Sequence, residues 1–239
     1  MHIEKILRET INVDNIEVVE NKKENPKGKS PPKMEWTFEN VYNAIISTFK
    51  TQTNKKFIVD SDNINKVKTL AYYLVQDNRF FISPLLSKDL NSPSFKKGLI
   101  LVGDYGVGKT ALLKTIPIIT DNYFSYNLTV DLVSEYESLT LSDKSMFVEK
   151  HKSGRRIYDD LGTEKKASNY GFVNLIKVVL ESRYDANSLT ILACNYDERN
   201  PLNLEAALDK LGMLYGGRVL DRVYEMFNII EFSGKSMRR

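Results

Sequence analysis

The residues with the clearest chemical potential form a glycine-rich segment, GDYGVGKT, at positions 103–110. It fits the phosphate-binding pattern G-x-x-x-x-G-K-[ST], in which glycines let backbone N–H groups turn inward around phosphates. In that pattern Lys109 reaches the β- and γ-phosphate oxygens, and the Thr110 hydroxyl binds Mg²⁺. The alternative is a glycine-rich turn that binds nothing. The sequence favours an ATP and Mg²⁺ site that comprises Gly103, Asp104, Tyr105, Gly106, Val107, Gly108, Lys109, Thr110 and Ala111.

Two adjacent acids, Asp159 and Asp160, follow the short apolar run Ile157-Tyr158. Asp159 is predicted to bind Mg²⁺, and Asp160 to orient and deprotonate the attacking water. Paired acids also form turns after strands, because Asp is favoured there. The phosphate-binding pattern upstream favours the catalytic interpretation.

A third polar position, Asn195, ends the apolar run TILAC. If this strand lies between the strands of the glycine-rich loop and the acid pair, the amide of Asn195 faces the γ-phosphate and holds the water in line. Otherwise Asn195 caps the next turn. The neighbouring Cys194 is interpreted as a small buried hydrophobic residue.

Two arginines, Arg218 and Arg222, lie one helical turn apart in YGGRVLDRVYEM. One interpretation is a surface salt bridge to Asp221 or Glu225. The other is an arginine finger that reaches the γ-phosphate of a neighbouring subunit.

Alternating strand and helix patterns must position these residues. Strands are predicted at about 99–102, 124–128, 157–159, 189–194 and 227–232, with helices between them. Such alternation predicts an α/β three-layer sandwich, a five-stranded parallel sheet covered on both faces.

Before this core the chain divides into two parts. Residues 21–33 are rich in Lys, Pro and Gly and read as a flexible linker, so residues 1–33 are a short arm plus linker. The arm could form an amphipathic docking helix or be a frayed terminus. Residues 34–96 contain two helical patterns that predict a helical collar, and residues 97–239 form the core.

The composition narrows the function classes. Of 239 residues, 42% are hydrophobic and 27% are charged, which allows a buried core. One cysteine excludes an internal disulfide, and two histidines leave too few ligands for a zinc cluster. No apolar run predicts a membrane span or signal peptide, so a soluble, cytoplasmic protein is expected. A net charge of +3 does not by itself predict nucleic-acid binding.

Together the motifs GDYGVGKT, YDDLGTE, TILACN and YGGRVLDRVYEMFNIIEFSGKSMRR resemble the DnaC-type helicase loaders and the related IstB-type transposition ATPases. Both are AAA+ proteins, and the resemblance covers about residues 97–239. It implies that Asp159 and Asp160 are the Walker B acids, Asn195 is sensor 1, Arg222 is the arginine finger and Arg238 is a sensor 2 candidate.

Two features depart from the better-known loaders. The arm of residues 1–20 is much shorter than their helicase-binding domain, which leaves the partner open. After Asn195 only 44 residues remain, too few for a full AAA+ lid, so a truncated or absent lid is expected.

The resulting expectation is an oligomeric ATPase switch that loads or remodels a replicative helicase. A ring or spiral of identical subunits follows from an arginine acting in trans. Single-stranded DNA is expected as a ligand, and the resemblance implies a contact within residues 130–154. The basic run Lys150-His151-Lys152 lies there, although such a run is more commonly a solvated face. The alternatives are an IstB-like transposition helper, a small-molecule kinase and a module that binds ATP without turnover. The kinase is disfavoured because it needs a lid with several phosphate-binding arginines, and no arginine lies between Arg79 and Arg155.

Overall fold

The computed structural model describes residues 35–168 and 171–237. The predicted arm and linker, residues 1–33, lie outside the described residues, as does Arg238.

The described residues contain seven strands, and five of them form one parallel sheet. They are β1 (Gly98–Gly103), β2 (Phe124–Leu128), β3 (Arg155–Leu161), β4 (Ala167–Ser168), β5 (Phe172–Val173), β6 (Thr190–Asn195) and β7 (Phe227–Phe232). The sheet has the order β2-β3-β6-β1-β7, whereas β4 and β5 form a small antiparallel hairpin. The five predicted strands are confirmed, and β6 lies between β1 and β3.

Helices cover both faces of this sheet. They are α1 (Phe38–Thr53), α2 (Ser61–Leu74), α3 (Lys109–Leu113), α4 (Thr115–Ile119), α5 (Thr129–Ser138), α6 (Leu141–Lys152), α7 (Leu175–Asp185), α8 (Leu204–Tyr215) and α9 (Gly217–Met226). Alternate residues of β1 point to opposite faces, as in any strand. Leu99 and Leu101 pack in the core with α1 to α4, while Ile100 and Val102 pack with α5 to α9. The predicted three-layer sandwich is confirmed.

The predicted helical collar consists of α1 and α2. Each begins at a side-chain cap, because Thr37 accepts a hydrogen bond from the Asn40 N–H and Asp60 accepts one from the Asn63 N–H. Their apolar faces, which include Ile45 and Leu70, share one core with β1. The collar therefore packs directly on the sheet.

The helix predicted after the glycine-rich loop is interrupted. One five-residue helix, α3, ends at Leu113, and a second, α4, starts at Thr115. Pro117 has no N–H, and its ring crowds the carbonyl four residues earlier, that of Leu113. The chain after the loop therefore forms two short helices.

After β6 the described chain contains α8, α9 and β7 with their connecting segments, among them residues 196–203 and 233–237, and no lid domain is present in this described part. Within residues 35–168 and 171–237, no helix has the length and apolar character that crossing a membrane requires.

The guanidinium of Arg183 is fully buried at the end of the sheet where the parallel strands begin. It has no carboxylate partner among the described residues and donates instead to uncharged oxygens at 2.7–3.3 Å. Those acceptors are the Thr190 hydroxyl and the carbonyls of His151, Ser153, Gly154 and Leu189. The side chain thereby joins α7 to the end of α6, the turn before β3 and the start of β6.

Candidate functional site

The carboxyl ends of three neighbouring strands bring the predicted site residues together. Gly103, at the end of β1, is paired in register with Asn195 at the end of β6. The acid pair lies near the end of β3, on the other side of β6. Polar groups predicted from separate parts of the sequence therefore meet at one edge of the sheet.

The glycine-rich loop has a backbone that only glycine adopts easily at two positions. Gly106 has φ +78° and Gly108 has φ +97°, both in the left-handed region. Left-handed residues in such a turn direct successive backbone N–H groups toward one point, which forms a concave anion site. Asp104 and Tyr105 are exposed on the outer rim, and Ala111 packs against the core at the start of α3. The loop has the backbone geometry of a phosphate cradle.

Lys109 is buried beside this loop, and its ammonium has only uncharged acceptors within hydrogen-bond range among the residues that the structure describes. Nζ donates to the Gly103 carbonyl at 2.7 Å, the Asp104 carbonyl at 2.9 Å and the Asn195 Oδ1 at 2.8 Å. Burial lowers the pKa of Lys109, and the nearby acids, including Asp159, oppose that effect. A buried cation without an ion-pair partner suits an incoming anion such as phosphate.

Asn195 links the lysine to the acid pair. Its Oδ1 accepts from Lys109, and its Nδ2 donates to the Asp160 Oδ1 at 3.0 Å. A flipped amide would place its NH₂ group against the Lys109 ammonium and its oxygen against the Asp160 carboxylate. These two charged neighbours therefore fix the orientation of the amide. The alternative role of Asn195 as a turn cap is not what its side chain does, because both polar atoms bond within the site.

A backbone irregularity in β3 turns Asp160 toward Asn195. The register of β3 with β6 shifts between Tyr158 and Leu161, and Asp160 has φ +64°. Non-glycine residues rarely adopt this conformation, and it typically costs about 1–3 kcal/mol where the surroundings enforce it. Such bulges re-aim side chains next to functional sites.

The first acid, Asp159, has a partner that the sequence analysis missed. Its carboxylate is 1% exposed, Oδ2 accepts from the Tyr126 hydroxyl at 2.7 Å, and Oδ1 accepts from the Asp160 N–H at 2.9 Å. Burial and this carboxylate raise the pKa of Tyr126, so the phenol stays protonated and donates. The only available signal was a polar residue on the strand next to β3.

The donors near the loop fit a magnesium ion that arrives with a nucleotide. Among the described residues, no group of three or more His, Cys, Asp or Glu could hold a metal ion. Mg²⁺ commonly uses one or two protein oxygens together with phosphate oxygens and water. Asp159 supplies a carboxylate, and the Thr110 hydroxyl makes no hydrogen bond with the described part of the chain.

The segment after β7 lies against the loop, a second contact that the sequence analysis missed. The Met237 N–H donates to the Gly106 carbonyl at 3.0 Å. A Cβ added at Gly108 would lie 2.7 Å from the Met237 Cε, the flexible end of that side chain. The φ of +97°, and not this contact, favours glycine at the position. Arg238 follows this contact directly in the sequence.

The two arginines of α9 lie away from this site. Arg222 pairs with Asp185 at 3.3 Å and lies over the Tyr184 ring at 4.2 Å, with only 12% of its side chain exposed. The predicted salt-bridge partners were wrong, because Glu225 accepts from the Tyr184 hydroxyl instead. Arg218 is exposed and makes no ion pair with the residues that the structure describes.

The basic run at the end of α6 is partly neutralised. Lys150 pairs with Glu135 at 3.7 Å and Lys152 with Glu149 at 3.3 Å, all four side chains being exposed. His151 is buried instead of exposed. Cys194 is also buried, and burial raises the pKa of its thiol to about 12, so it is an inert core residue as predicted.

Comparisons with known proteins define the fold. No family model and no curated protein matches the chain. The crystal structure of the DnaC helicase loader has a TM-score of 0.52 and 20% identity over 82% of this chain and 99% of that chain. The structure of DnaI has a TM-score of 0.44 and 22% identity over 73% and 87%. The structure of AMPPCP-bound DnaA from Aquifex aeolicus has a TM-score of 0.45 and 16% identity over 85% of this chain and 51% of that chain.

Of these three likenesses, the first exceeds a TM-score of 0.5 and establishes a shared fold. The parallel sheet of order β2-β3-β6-β1-β7 and the glycine-rich loop agree with that likeness. The shared fold is that of the DnaC helicase loader, as the resemblance predicted.

Proposed function

We propose that the protein binds and hydrolyses ATP at the carboxyl edge of its sheet. The observation that carries this proposal is the hydrogen-bonded chain from Lys109 through Asn195 to Asp160, next to the glycine-rich loop. It joins a cation for the phosphates to a carboxylate that can accept a proton from water. A structural cluster would have no need of an uncompensated buried ammonium at this place.

Each residue then has a distinct role. The loop N–H groups and Lys109 hold the phosphates, while Thr110 and Asp159 hold Mg²⁺, which supplies charge neutralisation at the β- and γ-phosphates when bound. Asp160 accepts the proton of the attacking water, and Asn195 keeps that carboxylate and the water aligned. Tyr126 keeps Asp159 in place through its hydroxyl.

The protein is further proposed to act as a homo-oligomer in which one subunit completes the site of the next. Arg222 is held by Asp185 and Tyr184 near the amino edge of the sheet, far from its own loop. Arg218 is one turn earlier, exposed and unpaired within the described part of the chain. Either arginine could serve a second subunit, and the freedom of Arg218 makes it the stronger candidate for direct phosphate contact.

A mixing experiment tests this sharing. Arg218→Ala and Arg222→Ala proteins should bind ATP normally but lose turnover, because the missing guanidinium no longer offsets charge on the transferring phosphoryl group. Mixed with Lys109→Ala protein, the finger mutant should regain partial activity that rises with total protein concentration. Wild-type turnover by both single mutants would exclude a finger at these positions.

We also propose that this ATPase acts in DNA replication as a helicase loader, with single-stranded DNA and a replicative helicase as partners. The shared fold with a protein described as a helicase loader supports the proposal. The ion pairs of Lys150 and Lys152 are exposed, and such pairs contribute little free energy. Both ammonium groups are therefore available to DNA phosphates.

The DNA proposal is tested by ATPase and binding measurements at graded salt. Single-stranded DNA should stimulate turnover, and its binding should weaken steeply with salt as counterions are released. Lys150→Ala with Lys152→Ala should reduce that salt dependence, whereas Lys50→Ala on α1 should not. A preference for duplex DNA would instead favour the transposition helper, and capture of a replicative helicase from lysate with ATP would favour the loader.

A further inference from the structure

A buried lysine on the collar contacts the outer side of the phosphate-binding loop. Lys66, on α2, is 2% exposed, and its Nζ donates to the Val107 carbonyl at 3.2 Å and to the Asn63 Oδ1 at 3.4 Å. Both acceptors are uncharged, and Lys66 forms no ion pair with the described residues. Burying an ammonium in this way is costly, so an apolar side chain would serve simple packing better.

The contact with Val107 bears on the direction of a loop N–H group. In a trans peptide unit the C=O and the following N–H point in opposite directions, and the structure has no cis peptide among its described residues. The Val107 carbonyl shares its unit with the Gly108 N–H. A donor that holds this carbonyl outward therefore turns the Gly108 N–H inward, toward the phosphates.

The segment after β7 fixes the orientation of the preceding peptide unit of the loop in the same way. The Met237 N–H holds the Gly106 carbonyl at 3.0 Å, and that carbonyl shares its unit with the Val107 N–H. The same segment passes beside the lysine, since a Cβ added at Gly234 would lie 3.2 Å from the Lys66 Nζ. Two consecutive peptide units of the loop are thus held from outside, one by the collar and one by this segment.

We propose that Lys66 is a positioning residue for the phosphate-binding loop, which it holds in the conformation that binds nucleotide. This rests on the proposed nucleotide binding at that loop. The loop N–H groups surround the α- and β-phosphates, so Lys66 acts on ADP and ATP alike. In this it differs from Asn195, which contacts Lys109 and Asp160 and acts on turnover.

The first test compares nucleotide affinities of matched variants. Lys66→Met leaves the buried Val107 carbonyl without its donor and should weaken ADP and ATP binding equally, by about tenfold, with turnover at saturating ATP nearly unchanged. Lys66→Arg keeps a charged donor and should recover part of the affinity. Lys68→Met, two residues away on the same helix, should bind as the wild type does. Equal ADP affinity of the folded Lys66→Met and Lys68→Met proteins would overturn the proposal.

A second measurement uses the unaltered chain and does not depend on a variant that folds. Because α2 and the loop are joined through Lys66, ADP should slow amide hydrogen exchange in Ser61–Leu74 as well as in the loop. The distant helix Leu141–Lys152 should not respond. Unchanged exchange in α2, with ADP bound, would overturn the role of Lys66 alone, whereas no ADP binding by the wild type would refute the proposed function itself.

Discussion

Replacing Asn195 with alanine should separate ATP binding from ATP turnover. The substitution removes the acceptor 2.8 Å from the Lys109 Nζ and the donor 3.0 Å from the Asp160 Oδ1. Lys109 keeps two acceptors, the carbonyls of Gly103 and Asp104, so the ammonium stays in place and ATP affinity should change by less than about threefold. Asp160 loses the one side-chain hydrogen bond that its carboxylate makes with the described residues.

Loss of one positioned polar group in an active site lowers turnover by about 100- to 1,000-fold, or about 3–4 kcal/mol of transition-state stabilisation. We therefore expect a fall of this size in kcat, measured by phosphate release at saturating ATP, beside an equilibrium binding measurement. Asn200→Ala, on an exposed loop outside the site, is the control and should retain wild-type values. Turnover of the Asn195→Ala protein within threefold of wild type, or an equal loss in binding and turnover, would refute the assigned role.

Two further predictions concern stability and are read from denaturant unfolding. Arg183→Met should lower the unfolding free energy by about 3 kcal/mol or more, since it leaves buried carbonyls without donors, whereas the exposed Arg199→Met should change it by less than about 0.5 kcal/mol. Burial, aided by nearby cations, lowers the pKa of His151 from 6.5 to about 3. As pH falls below about 6.5, the unfolded chain takes up a proton that the folded chain excludes, so stability should drop by about 2 kcal/mol between pH 7 and pH 5. His151→Asn should make the unfolding free energy less dependent on pH. The same pH dependence as in the wild type would contradict the assignment of this effect to His151.

Much of the fold follows from local sequence patterns. The β2 and β7 strands have the bounds that the sequence predicted, although polar residues such as Ser125 and Asn228 interrupt their apolar patterns. The position of Asn195 beside the loop follows from the strand order, in which β6 lies between β1 and β3. The sequence alone does not give that order, so it predicted this position only if the strands lay so. Pro117, which lacks an N–H, accounts for the break between α3 and α4.

The contacts that sequence could not supply are those between distant segments. Tyr126 reaches Asp159 from the neighbouring strand, Lys66 reaches Val107 from the collar, and Met237 reaches Gly106 from the segment after β7. None of these pairs has a characteristic spacing along the chain, since each depends on how elements pack. The left-handed backbone at Asp160 is likewise enforced by its surroundings and not by its residue type.

The central claim, ATP binding and hydrolysis at this site, is tested most directly by measuring both activities in three proteins side by side. The wild type should bind and hydrolyse ATP, Lys109→Ala should do neither, and Asp160→Asn should bind ATP while its turnover falls about 100-fold or more. Lys50→Ala and Asp209→Asn, both exposed and remote from the loop, serve as matched controls that should behave as the wild type. Wild-type ATP affinity in Lys109→Ala, or wild-type turnover in Asp160→Asn, would contradict the account.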